Sequence, residues 1–219
     1  MNSTKHIART AGVLYLIYII LTASSTFIPQ NLVTQEGLFR IRNAMELIST
    51  ACFLSAAWAL YVLLKPVHKN LALLFVLLNM VGVAVESICV LIHYAALLPI
   101  HGDEYLKVFS YEQLQSLSML MLNINGNVVL VLFYGLWLFP LGYLVFKSGF
   151  LPKILGILLI ADGVSLLICF FQLWFFPDYE KMTYPLYPVM FVAEFGLSLW
   201  LIIKGVRDQS VQAVTSRSS

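Results

Sequence analysis

Four carboxylic acids stand inside long apolar stretches of this sequence, where a charged side chain is costly. They are Glu46, Glu86, Asp162 and Glu194. An acidic residue at the centre of a membrane helix costs about 2.5–3.5 kcal/mol on insertion scales, so it normally faces other helices. No lysine or arginine lies within the same apolar stretches. We therefore expect each acid to be neutral and hydrogen-bonded, solvated in a cavity, or facing a cation.

Other polar residues share helix faces with these acids or with one another. Asn79, Glu86 and His93 recur at seven-residue spacing, which places them on one face of a helix. Asn123 and Asn127 are four residues apart and also share a face. A zinc hydrolase needs three nitrogen or sulfur ligands, and Glu86 with His93 falls short of that set. The sequence therefore predicts no metal site, and it holds no phosphate loop or dinucleotide fingerprint that would indicate a cofactor.

The acids have related depths if the apolar stretches cross a membrane. A rise of 1.5 Å per residue places Glu86 in the outer half and Glu194 roughly 12 Å below the outer surface. Glu46 lies near the same surface, and Asp162 lies roughly 12 Å above the inner face, near the midplane. We expect one outward-facing polar cavity with Glu46 at its mouth and Asp162 at its floor. Its candidate lining residues are Glu46, Glu86, Asn123, Asn127, Asp162 and Glu194, with Asn79, His93 and Arg42 as weaker candidates.

Membrane-spanning helices are the elements that must position these residues. The chain is 60% hydrophobic and 11% charged, whereas soluble domains are about half apolar and a quarter charged. A helix needs about 20 mostly apolar residues to cross the hydrocarbon, and continuous runs of that length exclude the short alternating strands of a barrel. The sequence predicts an all-α integral membrane bundle of six transmembrane helices, within residues 8–28, 43–64, 70–98, 120–146, 154–176 and 186–203.

The fourth span is predicted to be irregular. Ser110 followed by Gln113 is a capping-box pattern, which indicates a helix beginning near Tyr111. A continuous helix from there to Phe146 would be roughly 54 Å long, well beyond the thickness of a bilayer. Either its first turns lie at the membrane surface or it breaks near residues 125–127.

Lysine and arginine set the expected orientation. With both termini in the cytoplasm, nine of the 13 basic residues fall on the inner side and four on the outer side. Short positively charged loops remain cytoplasmic. We therefore expect cytoplasmic termini, a single transmembrane domain over residues 1–207, and a disordered cytoplasmic tail over residues 208–219. The net charge of +2 is too small to indicate a nucleic-acid partner, so the expected partner is the lipid bilayer.

The first apolar stretch also has features of a secretory signal. Lys5 and Arg9 precede its apolar core, and the small residues 22–25 resemble a cleavage site. The apolar run continues through Ile28, however, which favours a retained first helix.

Several segments carry a resemblance to a known family. They are RTAGVLYLIYII from Arg9, EGLFRIRNAMEL from Glu36, LYVLLKPVHKNLALL from Leu60, GYLVFKSGFLPKILGILLIADG from Gly142 and EFGLSLWLIIKG from Glu194. Over residues 5–207 the sequence resembles a bacterial family of multi-pass membrane proteins known as domain of unknown function 4386 (DUF4386). The resemblance implies the topology and a location in the bacterial inner or plasma membrane. It implies no chemistry and no site residues.

Three functions fit these observations. A small transporter or channel-like protein would use the acidic cavity for a proton, a cation or a cationic small solute. A non-catalytic protein that binds or stabilises another membrane component would place its carboxylates in separate helix–helix contacts. An intramembrane enzyme fits less well, because it would need His93 beside a carboxylate and a third ligand.

The charge distribution predicts where reporter proteins fused to this chain will lie. Fusions after Lys69, Lys153 and Lys204 should all report a cytoplasmic location, because these lysines mark the expected inner turns. The measurement is the paired activity of a cytoplasmic and a periplasmic reporter at each site. A periplasmic signal at any of the three sites would contradict the six-span topology.

Overall fold

The described part of the protein consists of helices joined by short turns and loops. The computed structural model describes residues 2–28, 35–101, 104–124 and 127–206, and no strand occurs among them. The predicted all-α class is therefore confirmed. The α helices are α1 (Asn2–Thr26), α2 (Glu36–Leu64), α3 (Lys69–Ala95), α4 (Leu98–His101), α5 (Tyr111–Asn123), α6 (Asn127–Lys147), α7 (Lys153–Phe175) and α8 (Tyr187–Ile203). Short 3-10 helices cover Glu104–Leu106, Pro177–Met182 and Tyr184–Leu186.

Within those described ranges, six helices are long and apolar enough to cross a membrane, as the sequence predicted. They are formed by α1, α2, α3, α6, α7 and the segment Tyr184–Ile203 that contains α8. The protein is therefore a multi-pass membrane protein. The orientation of its termini and the extent of the domain remain predictions, and the predicted disordered tail at residues 208–219 lies outside the described residues.

Helix α2 is longer than the apolar run that predicted it. It begins at Glu36, whereas the apolar run begins at Asn43. Two ion pairs between residues four apart support the additional turns: Arg40 Nε lies 2.7 Å from Glu36 Oε1, and Arg42 Nε lies 2.9 Å from Glu46 Oε1. Such pairs stabilise a helix even where the residues are polar. Arg42 is therefore part of a spanning helix.

The fourth span is divided into two helices, as predicted. The capping box at the start of α5 is complete, since Ser110 N donates to Gln113 Oε1 at 2.9 Å and Gln113 N donates to Ser110 Oγ at 3.3 Å. Helix α5 ends at Asn123, and Ile124 is extended with ψ of 102°. A new helix, α6, begins at Asn127, and residues 125–126 lie outside the described residues.

Helices α6 and α7 approach each other at backbone distance. A Cβ atom added to Gly142 would lie 2.8 Å from the carbonyl oxygen of Gly156, and one added to Gly135 would lie 3.2 Å from that of Gly163. Helices without a water-driven hydrophobic effect between them associate through such small residues, which permit close van der Waals packing. Gly135 comes before Gly142 in α6, whereas its partner Gly163 comes after Gly156 in α7, so the two helices are antiparallel.

The first and last spans close the bundle against each other. Ser198 Oγ of α8 donates a hydrogen bond to the carbonyl oxygen of Gly12 in α1 at 2.8 Å. Gly205 packs near the Lys5 side chain, which makes these two helices antiparallel as well. Their contact lies toward the end of the bundle that carries the α2–α3 and α6–α7 turns and their lysines.

Replacement of Gly156 by alanine should destabilise the bundle. Its Cβ would meet Phe146 N at 2.6 Å, and this atom belongs to a backbone that cannot rotate away. Overpacking of this kind costs about 1–3 kcal/mol, which should appear as lower thermal stability of the purified protein in detergent.

Gly37→Ala is the matched control, because no atom lies within 4 Å of the position its Cβ would take. This variant should be neutral, or more stable by about 0.4–1 kcal/mol through a stiffer unfolded chain. Equal stability of the two variants would contradict the close packing of the α6 and α7 backbones at Gly156.

Candidate functional site

A cavity of about 420 Å³ lies at the end of the bundle opposite the lysine-bearing turns. It brings together side chains from α1, α2, α3 and the end of α5. Its polar lining residues are Thr22, Ser25, Thr26, Arg42, Glu46, Glu86, His93 and Asn123. Five residues proposed from the sequence therefore share one wall, although the sequence linked them only by depth and helix face.

Arg42 neutralises Glu46 within this cavity. Its guanidinium contacts the Glu46 carboxylate at 2.9 Å, and both side chains are less than a fifth exposed, at 18% and 16%. Arg42 Nη1 also donates to the carbonyl oxygen of Ile28 at 3.0 Å, which ties the end of α1 to α2. Facing a cation is one of the three arrangements expected for an acid inside a span, and Arg42 is one of the nearest candidate cations in the sequence. Because α2 begins before Arg42, the helix brings it against Glu46.

Glu86 is satisfied in a different way. The Tyr134 hydroxyl of α6 donates a hydrogen bond to Glu86 Oε2 of α3. The Tyr134 ring lies where a side chain on Gly82 would stand, since a Cβ there would be 2.5 Å from Tyr134 Cε1. Gly82 therefore makes room for the ring that holds Glu86, and this contact joins α3 to α6.

A second cavity of about 670 Å³ lies between α1 and α8, in the halves of these helices that are farther from the lysine-bearing turns. Asp162 of α7 and Glu194 of α8 both line it. Thr22 and Thr26 border this cavity as well as the first one. The single cavity expected from the sequence is therefore divided in two, with Tyr134 and the α1 threonines between Glu86 and Glu194.

Asp162 has no hydrogen-bonding partner in the described part of the chain. Its side chain is 0% exposed, and neither carboxylate oxygen makes a hydrogen bond there. It interacts electrostatically with Glu194, which is half-buried. The Tyr15 hydroxyl lies near Glu194 and interacts with it electrostatically. Asp162 is therefore buried without a hydrogen bond or an ion pair to any described residue.

Aromatic rings form the wall beside the two acids. Tyr18 stacks on Phe53 with ring centroids 4.1 Å apart, and Phe53 meets Trp137 edge to face at 5.2 Å. The sequence indicated Trp137 only as an interfacial anchor or a packing residue and did not single out Tyr18 or Tyr134, because an aromatic residue in an apolar run looks like ordinary packing. One signal was present: Tyr18, Thr22 and Thr26 recur every four residues and mark a polar face of α1.

Two amides proposed from the sequence are not described as lining either cavity. Asn79 is buried at 0% exposure, with neither amide atom hydrogen-bonded to a described residue. Asn127 begins α6, but its side chain lies outside what the structure describes. Asn123 lines the first cavity, and its amide nitrogen donates to the carbonyl oxygen of Met119 at 2.8 Å. Over the described ranges, no three His, Cys, Asp or Glu side chains group to hold a metal ion.

These features define a multi-pass helical membrane protein with polar cavities inside its bundle. The pattern of the family described as Domain of unknown function (DUF4386) matches residues 10–205, and the chain belongs to this family. An uncharacterized protein of Archaeoglobus fulgidus is 34% identical over 151 residues, which cover 69% of this chain and 75% of the relative. No solved structure matches the chain. The resemblance seen in the sequence is thereby confirmed.

Tyr134→Phe should destabilise the protein. The change removes the hydroxyl that donates to Glu86 and leaves a half-buried carboxylate short of a partner, which costs about 1–3 kcal/mol. Tyr143→Phe is a matched control on the same helix, because the Tyr143 side chain is 46% exposed. The measurement is the free energy of unfolding in mixed micelles. A loss of equal size in both variants would contradict the role assigned to the Tyr134–Glu86 hydrogen bond.

Proposed function

We propose that this protein is a small transporter or channel-like protein of the bacterial inner or plasma membrane. Its cargo or driving ion is a proton, a cation or a cationic small solute, taken from the outer side through an acidic cavity. The observation that carries the proposal is Asp162, a carboxylate that is fully buried, faces a cavity and has no partner in the described residues.

The contrast between the acids supports this reading. Glu86 makes a hydrogen bond that a structural carboxylate requires, and Glu46 has a guanidinium. Asp162 has neither, although desolvating an acid is costly unless something compensates it. Uncompensated acids inside a membrane bundle usually mark a pathway for ions or protons. We therefore infer that a bound ligand offsets the burial of the Asp162 carboxylate.

The placement of the cavities supports access from one side. Asp162 stands nine residues from Lys153, roughly 14 Å along α7 and close to the membrane midplane. Toward the outer end, the two adjoining cavities offer hydroxyl and carboxylate groups. Toward the inner end, Gly142 and Gly156 bring α6 and α7 into backbone contact. This arrangement suits an outward-facing state that is closed below the acid.

A second candidate is a non-catalytic protein that binds or stabilises another membrane component. The Arg42–Glu46 ion pair and the Tyr134–Glu86 hydrogen bond favour it, since both are contacts that hold helices in place. On this alternative, all four acids would contribute to stability alone.

The test is ion movement in liposomes that contain the purified protein and a trapped pH dye. An imposed pH difference should collapse faster than in protein-free liposomes when Na⁺, K⁺ or an organic ammonium ion is present outside. Asp162→Asn should abolish most of this acceleration, because an amide keeps the shape of the side chain but cannot carry the charge or the proton.

Glu112→Gln serves as the control, since Glu112 is an exposed acid in the first turn of α5. It should behave as the unmodified protein does. If every cation gives the rate of protein-free liposomes, transport is contradicted and the stabilising role becomes the better account.

A further inference from the structure

We propose that the cavity between α1 and α8 binds an apolar organic ammonium ion. This inference rests on the proposed function, because it names the class of cation that the acidic cavity takes. Three features of the cavity support it: two carboxyl groups without a basic residue among its described lining, chiefly aromatic and apolar surroundings, and a size suited to an organic molecule.

The charge of the cavity calls for a cation. Asp162 and Glu194 both line it, and its described lining contains no lysine, arginine or histidine. Two carboxylates close together in a medium of low dielectric constant repel each other when ionised. A bound monovalent cation relieves this repulsion. Glu194 is the partly exposed carboxylate of the two and supplies the contact, while the enclosed Asp162 carboxylate attracts the cation from close by.

The remaining lining is chiefly aromatic and aliphatic. Tyr18, Phe53, Tyr134 and Trp137 form the inner wall, and Tyr187 and Phe191 form the α8 wall. Aromatic faces attract cations within about 6 Å, and sites for quaternary ammonium groups combine such faces with few polar atoms. Alkyl or aryl substituents on the nitrogen would be buried against the same rings.

The size and ligand set of the cavity disfavour an inorganic ion. A volume of about 670 Å³ is far larger than one metal ion needs and lies in the range of small-molecule pockets. Apart from two carboxyl groups, the hydroxyl groups of its threonines and tyrosines and the Trp137 indole nitrogen, the described lining is apolar, which suits the substituents of an organic cation.

The α8 wall gives such a cation a route to the site. Tyr187 is 49% exposed and Phe191 is 55% exposed, so the cavity reaches the outer surface of the bundle near the start of α8. In a membrane this surface meets lipid, into which a cation with apolar substituents partitions. The apolar lining and the location of the opening therefore agree on the same ligand class.

The experiment is equilibrium binding of radiolabelled tetraphenylphosphonium to the full chain in detergent micelles. Tetraphenylborate, which has the same shape and the opposite charge, is the matched ligand control. We expect saturable binding of the cation and none of the anion. Asp162→Asn and Glu194→Gln should each weaken cation binding about tenfold or more, the loss expected for one buried charge partner. Glu112→Gln should leave it unchanged, because Glu112 is exposed on α5 outside the cavity.

Two carboxylate variants are used in case Asp162→Asn fails to fold. Glu194 is half-buried, so its replacement disturbs the packing less than replacement of the fully buried Asp162 does. Absence of saturable binding to the folded wild-type protein, equal binding of the anion, or full affinity in both variants would overturn the inference. Ion movement in liposomes without tetraphenylphosphonium binding would overturn this ligand class alone. Binding without any ion movement would uphold the site and contradict transport.

Discussion

The close approach of α6 and α7 determines where the reactive groups of this bundle lie. Gly135 and Gly163 bring the backbones of the two helices into contact. Each glycine directly follows a cavity residue in the chain: Tyr134 precedes Gly135, and Asp162 precedes Gly163. A larger residue at either glycine would push the helices apart and displace Tyr134 and Asp162 relative to each other. The same contact aims Trp137, one turn further along α6, at the cavity. Packing at two small residues thus places three side chains that no local signal connects.

Three different environments for a membrane carboxylate occur within one small bundle. Glu46 is compensated by a guanidinium on its own helix, and Glu86 by a phenol on a neighbouring helix. Asp162 and Glu194 have each other and a cavity. In the first two arrangements, a described side chain offsets the desolvation cost of the carboxylate. In the third arrangement, we propose that a ligand offsets it. This graded compensation separates structural acids from the acids of the proposed site.

The sequence predicted the spans well, because the length and hydropathy of a membrane helix are set by the thickness of the bilayer. It also predicted the break before α6, from the capping box at Ser110 and a helix too long to fit. Hydropathy alone places the start of α2 at Asn43, since Glu36 and Arg40 are polar and their ion pair does not affect hydropathy. The spacing of Leu38, Ile41, Met45 and Ile48 on one face nevertheless indicates the helical lead-in that begins α2. Counting residues gave the depth of each acid but not its rotation about the bundle axis. Glu86 and Glu194 therefore appeared to share one cavity, when Tyr134 stands between the two.

The cavity of the proposed site lies at the interface between the first and last spanning helices, α1 and α8. Hairpin neighbours such as α6 and α7 are joined by a short turn that limits how far they separate. No such connection joins α1 to α8, and their described contacts concentrate near Gly12 and Ser198, toward the opposite end from the cavity. Without a turn to hold them together, α1 and α8 depend on side-chain packing alone at the end where the cavity lies. The two acids of the proposed site therefore lie where the connectivity of the chain constrains the bundle least.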